Sequence, residues 1–511
     1  MKLKYNITLL LIAASLAACN DWLDIAPKDK VLEDKLYSSE DNIYSATNGL
    51  YRELTGEHLY GGQLSQTTLD VMGHLYTYPF LRPSEGDQSM PFYALAHFEY
   101  TNDNVKSRFA NVWKKSYEAL LHINTYIKNV EASQGIIPDK TKKILLGEAY
   151  GLRAYIHFDL FRIFGPVYIN RTSAKILPYN NWPEVLVNQN EEKTYSTADE
   201  YIALLQSDLA KAIQLLEGND PVIDDANSIS NDLRNDNFFQ NRNRRMNYYA
   251  VKGLEARVLQ YIGKETEAAA AAAVVTDQIG QRFKWVDLNG NNFRKQYNFI
   301  MFSEVIFGIN SLDMYSRAKT WYEGTDLRTG YVVDYNNLLK NILQYTGNTL
   351  NSMIDVRAWQ WSPSKVVSSS AGYSLEGTYI SYKYSTNASD LEIAAIKEFQ
   401  PLMRLSEMCY IQAEAALNAG NKAIAVDILN SVLAHRGLTV ANLLPDDVSE
   451  AAVREHLERE YYREFFGEGQ VFFYHKRLGS SSMFKGYDEG RDPVTSLDSY
   501  VVPIPEAEKN I

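Results

Sequence analysis

Residues 247–275 read NYYAVKGLEARVLQYIGKETEAAAAAAVV and residues 403–433 read MRLSEMCYIQAEAALNAGNKAIAVDILNSVL, and the two stretches share a pattern that predicts the fold. When they are aligned on Gly263 and Gly420, each has an alanine seven residues before the glycine and another five residues after it. The spacing predicts a helix, a tight glycine turn and a second helix, with small side chains that allow close antiparallel packing. Such hairpins are tetratricopeptide-like, and they bury their apolar faces by stacking on one another.

Helical periodicity continues along most of the chain. Over 140–164, apolar residues recur at spacings of three and four as one stripe, and a Gly-Pro pair ends the pattern. Ser196 and Thr197 are candidate N-caps of a helix that ends at Gly218. We therefore expect an all-α fold with minor short strands. Further helices are predicted over 40–54, 105–131, 246–262, 265–280, 401–419, 421–436 and 449–466, and strands over 375–385 and 499–504.

Long irregular insertions interrupt this helical scaffold. Residues 55–104 have little helical period, and residues 219–245 are rich in Asn, Asp and Arg. Residues 281–400 carry four of the seven tryptophans. Because loops on a rigid scaffold commonly carry binding surfaces, these insertions are the expected ligand-binding part of the protein.

The N-terminus has the features of a secretory signal. Two lysines precede an apolar run over 7–14, which is far shorter than the ~20 residues that a membrane-spanning helix needs. Small residues then lead through Leu-Ala-Ala to Cys19, a sequence that resembles a lipobox. We expect residues 1–18 to be removed and acyl chains on Cys19 to anchor residues 19–511 to a membrane. The alternative is a chance cysteine after an ordinary signal peptide.

Net charge and cysteine content limit the ligands and the cross-links that the protein can have. The formal net charge is −12, and it becomes −14 once residues 1–18 are removed, because they hold two lysines and no acid. An acidic surface argues against nucleic acids as ligands. If Cys19 is acylated, Cys409 has no partner for a disulfide, and its helical pattern indicates a small buried residue.

No catalytic motif stands out. The sequence has no His-Glu-x-x-His, no Gly-x-Ser-x-Gly and no phosphate-binding glycine loop. The densest charged stretch, 455–479, reads EHLEREYYREFFGEGQVFFYHKRLG. A catalytic carboxylate at Glu464 or Glu468 is one interpretation, but the closely spaced opposite charges favour a helix held by ion pairs. We therefore expect a protein that is not an enzyme, and a glycosidase with two placed carboxylates stays open as an alternative.

One short segment resembles a calcium-binding loop. Asp287, Asn289 and Asn291 alternate as oxygen ligands do in such loops. However, Asn292 stands where the turn glycine belongs, and Asn298 stands where the bidentate glutamate belongs. These departures argue against a metal, so no cofactor is expected, and calcium at this segment is the alternative.

Five motifs, in this order along the chain, resemble the SusD/RagB family of outer-membrane lipoproteins of Bacteroidetes. They are CNDWLDIAPKD at the mature start, LLGEAYGLRAYIHFDLFRIFGPV, RLSEMCYIQAEAALN with the following LNSVLAHRG, EREYYREFFGEGQVFFYHKRLG, and YVVPIPEAEKN near the end. The resemblance covers nearly the whole chain. One departure is FFGEGQVFFYHKR, where many members have Glu-Gly-His-Arg and an Asp before the Arg, which suggests a subgroup.

The resemblance implies tetratricopeptide-like units that carry an irregular ligand-binding face, and it implies no catalysis. Members lie at the cell surface of the outer membrane as a lid on a SusC-like TonB-dependent transporter. They capture oligosaccharides, or peptides in some cases, and the transporter imports them. We therefore expect a lipid-anchored, surface-exposed protein with a SusC-like partner and an oligosaccharide or peptide ligand.

Aromatic side chains in the insertions are the candidate ligand contacts, because sugar rings stack their apolar faces on aromatic planes. The resemblance supports this, since the starch-binding relative uses an arc of loop aromatics. We expect ligand contacts from Trp321 and Tyr322 in AKTWYEGTD, from Trp285, and from Tyr76 and Tyr78 in HLYTYPF. The alternative for each residue is packing in the core or against the transporter.

Two other functions stay open on the sequence alone. One is a surface scaffold whose helical repeats bind only proteins, and the other is the glycosidase. A neighbouring gene for a SusC-like transporter would favour nutrient capture, and hydrolysis of a glycan by the purified protein would establish the enzyme.

Overall fold

The predicted all-α fold is confirmed, because helices form most of the described chain. The structure is a computed structural model that describes residues 35–76, 91–183, 195–229, 237–288, 298–323, 331–345, 354–363, 377–384, 396–485 and 490–509. No helix in these ranges is long and apolar enough to cross a membrane. The α-helices are α1 (Glu40–Leu54), α2 (Thr68–Met72), α3 (Pro91–Ala96), α4 (Asp103–Ala132), α5 (Asp139–Phe164), α6 (Ala198–Leu216), α7 (Pro221–Asp224), α8 (Tyr248–Tyr261), α9 (Glu265–Thr276), α10 (Met314–Glu323), α11 (Leu405–Asn418), α12 (Lys422–Ala434), α13 (Glu450–Glu464), α14 (Gln470–Leu478) and α15 (Glu506–Lys509).

The two hairpins that the sequence predicted are present. α8 and α9 meet at Gly263, and α11 and α12 meet at Gly420. Both glycines are left-handed, with φ of +79° and +78°, a conformation that glycine adopts without strain. The alanines of the aligned pattern are fully buried, so they allow the close packing that the spacing predicted: Ala256, Ala268, Ala413 and Ala425.

Successive helices pack side by side into an extended array. α1 packs on α4, α4 on α5, α5 on α6, and α6 on α8. The array continues through the two hairpins, because α9 of the first packs against α11 of the second. Side-chain N-caps begin several of the helices. At the start of α6, Thr197, one of the two predicted N-cap residues, forms a capping box with Glu200.

α5 is buried on nearly every side, which is more than the single predicted stripe. Glycines permit this close packing. A Cβ at Gly147 would lie 2.6 Å from Leu216 Cγ, and a Cβ at Gly151 would lie 2.5 Å from Met246 Cγ. The Gly-Glu-Ala-Tyr-Gly sequence therefore lets α6 and the start of α8 approach the helix backbone directly.

The strands form small antiparallel sheets among the loops. The pairings are β1 with β2, β3 with β7, and β8 with β9, while β6 lies between β4 and β5. The strand predicted over 375–385 is confirmed as β6. The strands are β1 (Lys175–Pro178), β2 (Tyr195–Thr197), β3 (Val305–Asn310), β4 (Val333–Asp334), β5 (Trp361–Pro363), β6 (Thr378–Ser381), β7 (Phe399–Arg404), β8 (Ser482–Phe484) and β9 (Arg491–Pro493).

Some predicted boundaries are wrong. The helix predicted over 401–419 begins only at Leu405, because residues before it form β7 and pair with β3. The strand predicted over 499–504 is absent, and Leu497–Tyr500 forms a 3-10 turn there instead. The first error arises because β7 is defined by its pairing with β3, a distant segment, rather than by a local pattern of its own. Other short 3-10 or π segments are Tyr168–Asn170, Ala226–Ser228, Arg242–Arg244, Phe302–Glu304, Tyr335–Ile342, Val356–Gln360 and Val440–Asn442.

A buried ion-pair network ties the loops to the helical array. At its centre, the Glu464 carboxylate on α13 accepts hydrogen bonds from Arg357 at 2.8 Å, Arg404 at 2.7 Å and Arg436 at 2.5 Å. All four side chains are at most 2% exposed. The arginines come from the 3-10 turn over 356–360, from the end of β7 and from the turn after α12.

The network is electrically balanced. Burial raises the pKa of Glu464, but the three guanidinium groups outweigh it and hold that pKa well below its usual range. Each positive side chain of the network has a carboxylate partner, so none of the network's buried charges is left unpaired. Its cations are Arg357, Lys383, Arg404, Arg436 and Arg463, and its carboxylates are Glu304, Asp355, Glu460, Glu464 and Glu468.

Replacing the turn glycine of the second hairpin tests the repeat geometry. Gly420→Ala should lower the free energy of unfolding by about 1–2 kcal/mol, because an L side chain is strained in the left-handed conformation. Gly49→Ala is the matched control, since Gly49 lies within α1 and an added Cβ there meets no atom within 4 Å. The control should be neutral or stabilising by up to ~1 kcal/mol in urea unfolding. An equal decrease in the free energy of unfolding for both variants would contradict the turn geometry.

Replacing the central carboxylate tests the ion-pair network. Glu464→Gln should destabilise the protein by about 3–5 kcal/mol, because it leaves buried arginines without their shared partner. Glu455→Gln is the control, since Glu455 lies on the same helix but is exposed and pairs with Arg459 one turn away. That change should cost less than about 1 kcal/mol in thermal unfolding. A mild effect of Glu464→Gln would show that the network is not required for stability.

Candidate functional site

Three of the predicted ligand residues come together in space. Tyr76 follows α2, and Trp321 and Tyr322 lie near the end of α10. The Tyr76 hydroxyl donates to the backbone oxygen of Gln66 at 2.6 Å, and it lies 3.0 Å from the Tyr322 hydroxyl. Tyr322 therefore donates to Tyr76, and burial raises the pKa of both phenols well above the usual value.

These residues belong to a larger group of rings, which we call the aromatic cluster. Tyr331 stands at its middle, with its ring centroid 4.9 Å from that of Tyr76, 4.8 Å from Phe92 and 6.3 Å from Trp321. Phe466 lies on the inner side, where it contacts both Tyr76 and Trp361. The members of the aromatic cluster are Tyr76, Phe92, Trp321, Tyr322, Tyr331, Trp361 and Phe466.

Exposure separates two roles within the cluster. Trp321 and Phe92 are half-buried and keep part of their rings accessible. Tyr76 and Tyr322 are 1% and 3% exposed, so they support the surface from within. Of the predicted residues that the structure describes in this cluster, Trp321 is therefore the one that a ligand can reach.

The position of Trp321 is set by contacts between α10 and the loop after α1. Arg317 Nη1 donates to the backbone oxygens of Thr55 at 2.9 Å and Gly61 at 3.0 Å. The Trp321 ring packs on Gly62, where an added Cβ would lie 3.1 Å from its Cη2 atom. The backbone at Gly62 therefore lies directly against the indole and fixes the position of the ring.

Charged side chains flank the rings. Burial raises the pKa of the Tyr331 phenol to about 12, while Arg108 lowers it and Glu57 raises it, so both charges lie near this ring. Arg108 also donates to Thr68 Oγ1 at 3.4 Å. Glu57 is exposed and Arg108 half-buried. A carboxylate acceptor and a guanidinium donor beside aromatic planes suit a ligand that has both apolar faces and hydroxyl edges.

The buried ion-pair network holds the inner side of the cluster. Lys383, just after β6, donates to the backbone oxygen of Phe466 at 2.8 Å and to Glu468 Oε1 at 2.6 Å. The Tyr384 hydroxyl donates to the backbone oxygen of Gly467 at 3.0 Å. Gly467 has φ of +75°, and a Cβ there would lie 2.5 Å from the Tyr384 ring, so only glycine fits this turn. The position of the Phe466 ring is thus fixed by its backbone.

Asp70 on α2 closes the same turn from the other side. Its carboxylate accepts from the backbone N–H groups of Gly467 at 2.5 Å and Gly469 at 2.9 Å. Burial raises the pKa of Asp70 well above its usual range, although the two N–H donors oppose this. Since Tyr76 follows α2, the hydrogen bonds of Asp70 to this turn bring Tyr76 beside Phe466.

The other predicted ligand residues are not part of this cluster as described. Trp285 stacks on His435 with ring centroids 4.7 Å apart and lies 5.3 Å from the Arg436 guanidinium, above the ion-pair network. No ring contact within the described ranges joins Trp285 to the cluster. Tyr78 and the predicted acylation site Cys19 lie outside the described residues.

The calcium hypothesis concerns a segment that is only partly described. Asn289, Asn291 and Asn292 lie outside the described residues. The Asn298 side-chain oxygen accepts from the backbone N–H of Phe302 at 2.9 Å, which is the role of a turn cap. Among the described residues, no group of three or more His, Cys, Asp or Glu side chains could hold a metal ion.

The two glutamates considered as catalytic candidates are held in ion pairs. Glu464 pairs with three arginines, and Glu468 pairs with Lys383 and Arg404. Both are nearly fully buried. The ion-paired interpretation of residues 455–479 is therefore confirmed. Cys409 is buried as predicted, and burial raises the pKa of its thiol to about 12.

Four members of the aromatic cluster were not predicted as site residues. Tyr331 opens the run YVVDY after a glycine, which is a strand signal that could have drawn attention to it. Trp361 is one of the four tryptophans of residues 281–400, and no pattern around it singled it out. Phe92 and Phe466 carry no local signal, because their contacts join segments that are hundreds of residues apart in sequence.

Stacked helical hairpins with a partly exposed aromatic cluster among their insertions define a helical-repeat protein with a candidate binding surface on its loops. The chain belongs to the SusD family. Residues 310–508 match the SusD family model, and residues 21–222 match a SusD-like model described as starch-binding and associating with the outer membrane. These matches confirm the resemblance seen in the sequence motifs. A comparison with curated proteins found no match.

Solved structures share the fold at low sequence identity. A SusD superfamily protein from Bacteroides thetaiotaomicron superposes with a TM-score of 0.67 at 19% identity, covering 92% of this chain and 98% of its own. A SusD-like carbohydrate-binding protein from Bacteroides vulgatus gives 0.65 at 16% identity, covering 93% and 96%. A laminarin-binding SusD-like protein gives 0.60 at 18% identity, covering 93% and 98%.

Proposed function

We propose that this protein captures oligosaccharides at the cell surface and passes them to a SusC-like TonB-dependent transporter. The observation that carries the proposal is the partly accessible indole of Trp321, which is held on a base of buried tyrosines. A flat apolar ring that backbone contacts hold in place can stack on the apolar face of a sugar without losing conformational freedom on binding.

Polar recognition would come from the rim of the cluster. The Glu57 carboxylate accepts hydrogen bonds from sugar hydroxyls, and the Arg108 guanidinium donates to them. Glu57 is exposed and Arg108 is half-buried, and the charges of both side chains act on the Tyr331 phenol. The combination orients a sugar ring while its flat face rests on the indole.

Family membership and named relatives support a glycan as the ligand. One matching family model is described as starch-binding, and two structural neighbours are described as carbohydrate-binding and laminarin-binding. Peptides, which some members capture, remain the second ligand class and are included in the test below. We propose binding without catalysis, because the two glutamates considered for a reaction are engaged in buried ion pairs.

The cellular location forms part of the proposal. The family description names association with the outer membrane, and the predicted acylation site at Cys19 would supply the anchor. Residues 1–18 would be the discarded signal and residues 19–511 the surface-exposed protein. A lipid anchor leaves the whole folded chain free to cover a transporter at the membrane surface.

Removing the accessible indole tests the ligand site. Trp321→Ala should weaken binding of the best ligand at least about tenfold, equivalent to about 1.4 kcal/mol, in titration calorimetry. The ligand is chosen by screening wild type against soluble starch, laminarin, other polysaccharides and a peptide array. Trp285→Ala is the matched control, because that indole stacks on His435 outside the cluster, and its affinity should stay within about twofold of wild type.

Four outcomes would contradict the proposal. If the wild-type protein binds no polysaccharide, the glycan function is wrong. If it binds peptides alone, the ligand belongs to the second class. Cleavage of the bound glycan during titration would establish an enzyme. Equal losses in the two tryptophan variants would place the site elsewhere.

Removing the predicted acylation site tests the anchor. Cys19→Ala should release the protein from outer-membrane fractions, since acyl chains would supply the attachment. Cys409→Ala is the control, because this thiol is buried in α11 and should not affect fractionation. A Cys19→Ala protein that stays with the outer membrane after high-salt washing would contradict the lipid anchor.

A further inference from the structure

A cavity of about 470 Å³ lies between the start of α4 and the C-terminal segment 502–507. None of its lining residues belongs to the aromatic cluster. Its lining includes Val105, Phe109 and Val502, which are only 0%, 3% and 2% exposed. The volume is in the range of cavities that bind small ligands. Because its inner lining is apolar, the cavity suits a bulky apolar group better than a sugar, which would bring hydroxyls against it.

The walls of the cavity are held in place by contacts within the folded chain. The backbone N–H of Val502 donates to the backbone oxygen of Ile163 at 3.2 Å. The Tyr100 hydroxyl donates to the backbone oxygen of Ser499 at 2.8 Å, which joins the start of α4 to the C-terminal segment. The Tyr100 ring also packs on Phe109, with ring centroids 6.2 Å apart. The cavity is therefore formed before anything enters it.

The rim of the cavity carries charges of both signs. Lys106 on α4 and Glu506 on α15 line it, and both side chains are exposed. The Lys106 ammonium group lies 3.9 Å from the Asp103 carboxylate, but both partners are exposed, so this pair holds the ammonium group only weakly. The rim thus fits an occupant in which an apolar anchor is flanked by acidic and basic side chains.

The segment that follows the predicted cleavage site has this chemistry. Residues 19–34 read CNDWLDIAPKDKVLED, and they lie outside the described residues. Trp22 is followed by Leu23 and Ile25, with an aspartate on either side of the Trp-Leu pair and two lysines further on. Tryptophan is the side chain that most often anchors one protein surface in a pocket of another. The segment therefore offers one large apolar anchor with charges of both signs around it.

The chain is long enough to bring Trp22 to the cavity. The described chain begins at Lys35, and the Tyr37 ring lies 6.1 Å from that of Tyr126, near the end of α4. From Tyr126 back to Phe109 is about 26 Å along the helix axis, at 1.5 Å per residue. The fifteen residues from Trp22 to Tyr37 would span up to about 50 Å when extended. Because both partners belong to one chain, their effective concentration is on the order of millimolar, so a weak contact suffices.

We propose that Trp22 inserts into this cavity and docks the N-terminal segment of the mature protein on the start of α4. Cys19 lies three residues before Trp22, so at most about 10 Å of chain would separate an acylated cysteine from the cavity. Docking would hold this face of the protein close to the membrane and fix the orientation of the folded chain. The inference goes beyond ligand capture, and it rests on the proposed cleavage before Cys19. The competing explanation is a segment that serves only as a free tether.

Cross-linking within the mature chain tests the docking. The protein is residues 19–511 with Cys19→Ala, which leaves the buried Cys409 as the one natural thiol. Asp21→Cys places a thiol beside Trp22, and Ala507→Cys places one at the exposed rim of the cavity. A short bismaleimide should link these two thiols within one molecule, and peptide mass spectrometry measures the yield.

The matched control keeps the N-terminal thiol and moves the other one. Val440→Cys replaces Ala507→Cys, because Val440 is 88% exposed and lies in the turn after α12, away from the cavity lining. If the segment docks, the Ala507 pair should give at least about ten times the cross-link yield of the Val440 pair, because docking raises the local concentration of one thiol near the other.

Three further changes, each added to the Ala507 pair, separate insertion of the indole from chance proximity. Trp22→Ala should lower the cross-link yield at least about fivefold, because the apolar anchor is lost. Trp22→Phe keeps a ring and should retain most of the yield. Ala110→Trp fills the cavity from a half-buried position in its wall and should lower the yield as Trp22→Ala does. Thermal unfolding of each variant checks that the fold is retained.

Two results would overturn the inference. If the Ala507 pair links no better than the Val440 pair, the segment does not dock at the cavity. If it links well but Trp22→Ala leaves the yield unchanged, the segment passes the cavity without inserting its indole. Neither result bears on ligand capture or on the lipid anchor, because glycan titration and membrane fractionation of Cys19→Ala test those separately.

Discussion

Glu464 lies out of contact with water, and its charge is compensated by three arginines that come from three separate parts of the chain. A buried carboxylate without such partners would cost several kcal/mol, and so would each arginine without the carboxylate. The 3-10 turn over 356–360, the end of β7 and the turn after α12 must therefore reach their positions together. The network joins the irregular insertions to the regular helical array, and its Lys383 contacts also set the turn that carries Phe466.

The helical array and the loops contribute in different ways to the candidate binding surface. Alanines and glycines bring the helices close together, so the array is rigid without needing large side chains at each contact. The loops supply the aromatic rings, and most of these rings are buried against one another. Trp321 is partly accessible. Its position is fixed because Arg317 attaches α10 to the loop after α1 and because the Trp321 ring packs on Gly62. A rigid base under an accessible ring is what binding of a sugar face requires.

Prediction succeeded where the signal was local. The helix at 140–164, the cap at Thr197 and the two glycine turns could all be read from neighbouring residues, because periodicity and capping depend on a few turns of chain. The strand β7 was mistaken for the start of a helix, since its partner β3 lies about ninety residues earlier. Trp321 and Trp285 were both predicted as ligand contacts and both are half-buried. Only their surroundings separate the ring in the aromatic cluster from the ring that stacks on His435 beside the ion-pair network.

The sequence by itself determined the helical repeat scaffold, the family and the candidate export signal, because these depend on periodic patterns and short motifs. It also pointed to tyrosine and tryptophan as the chemistry of the site. Only the tertiary structure decided which aromatics meet, since Tyr76, Tyr331 and Phe466 come from distant segments that no local pattern connects. It likewise placed Glu464 and Glu468 in buried ion pairs. The physical reason is the same in both cases, because burial and pairing depend on what surrounds a side chain in space, and that is set by the packing of the whole chain.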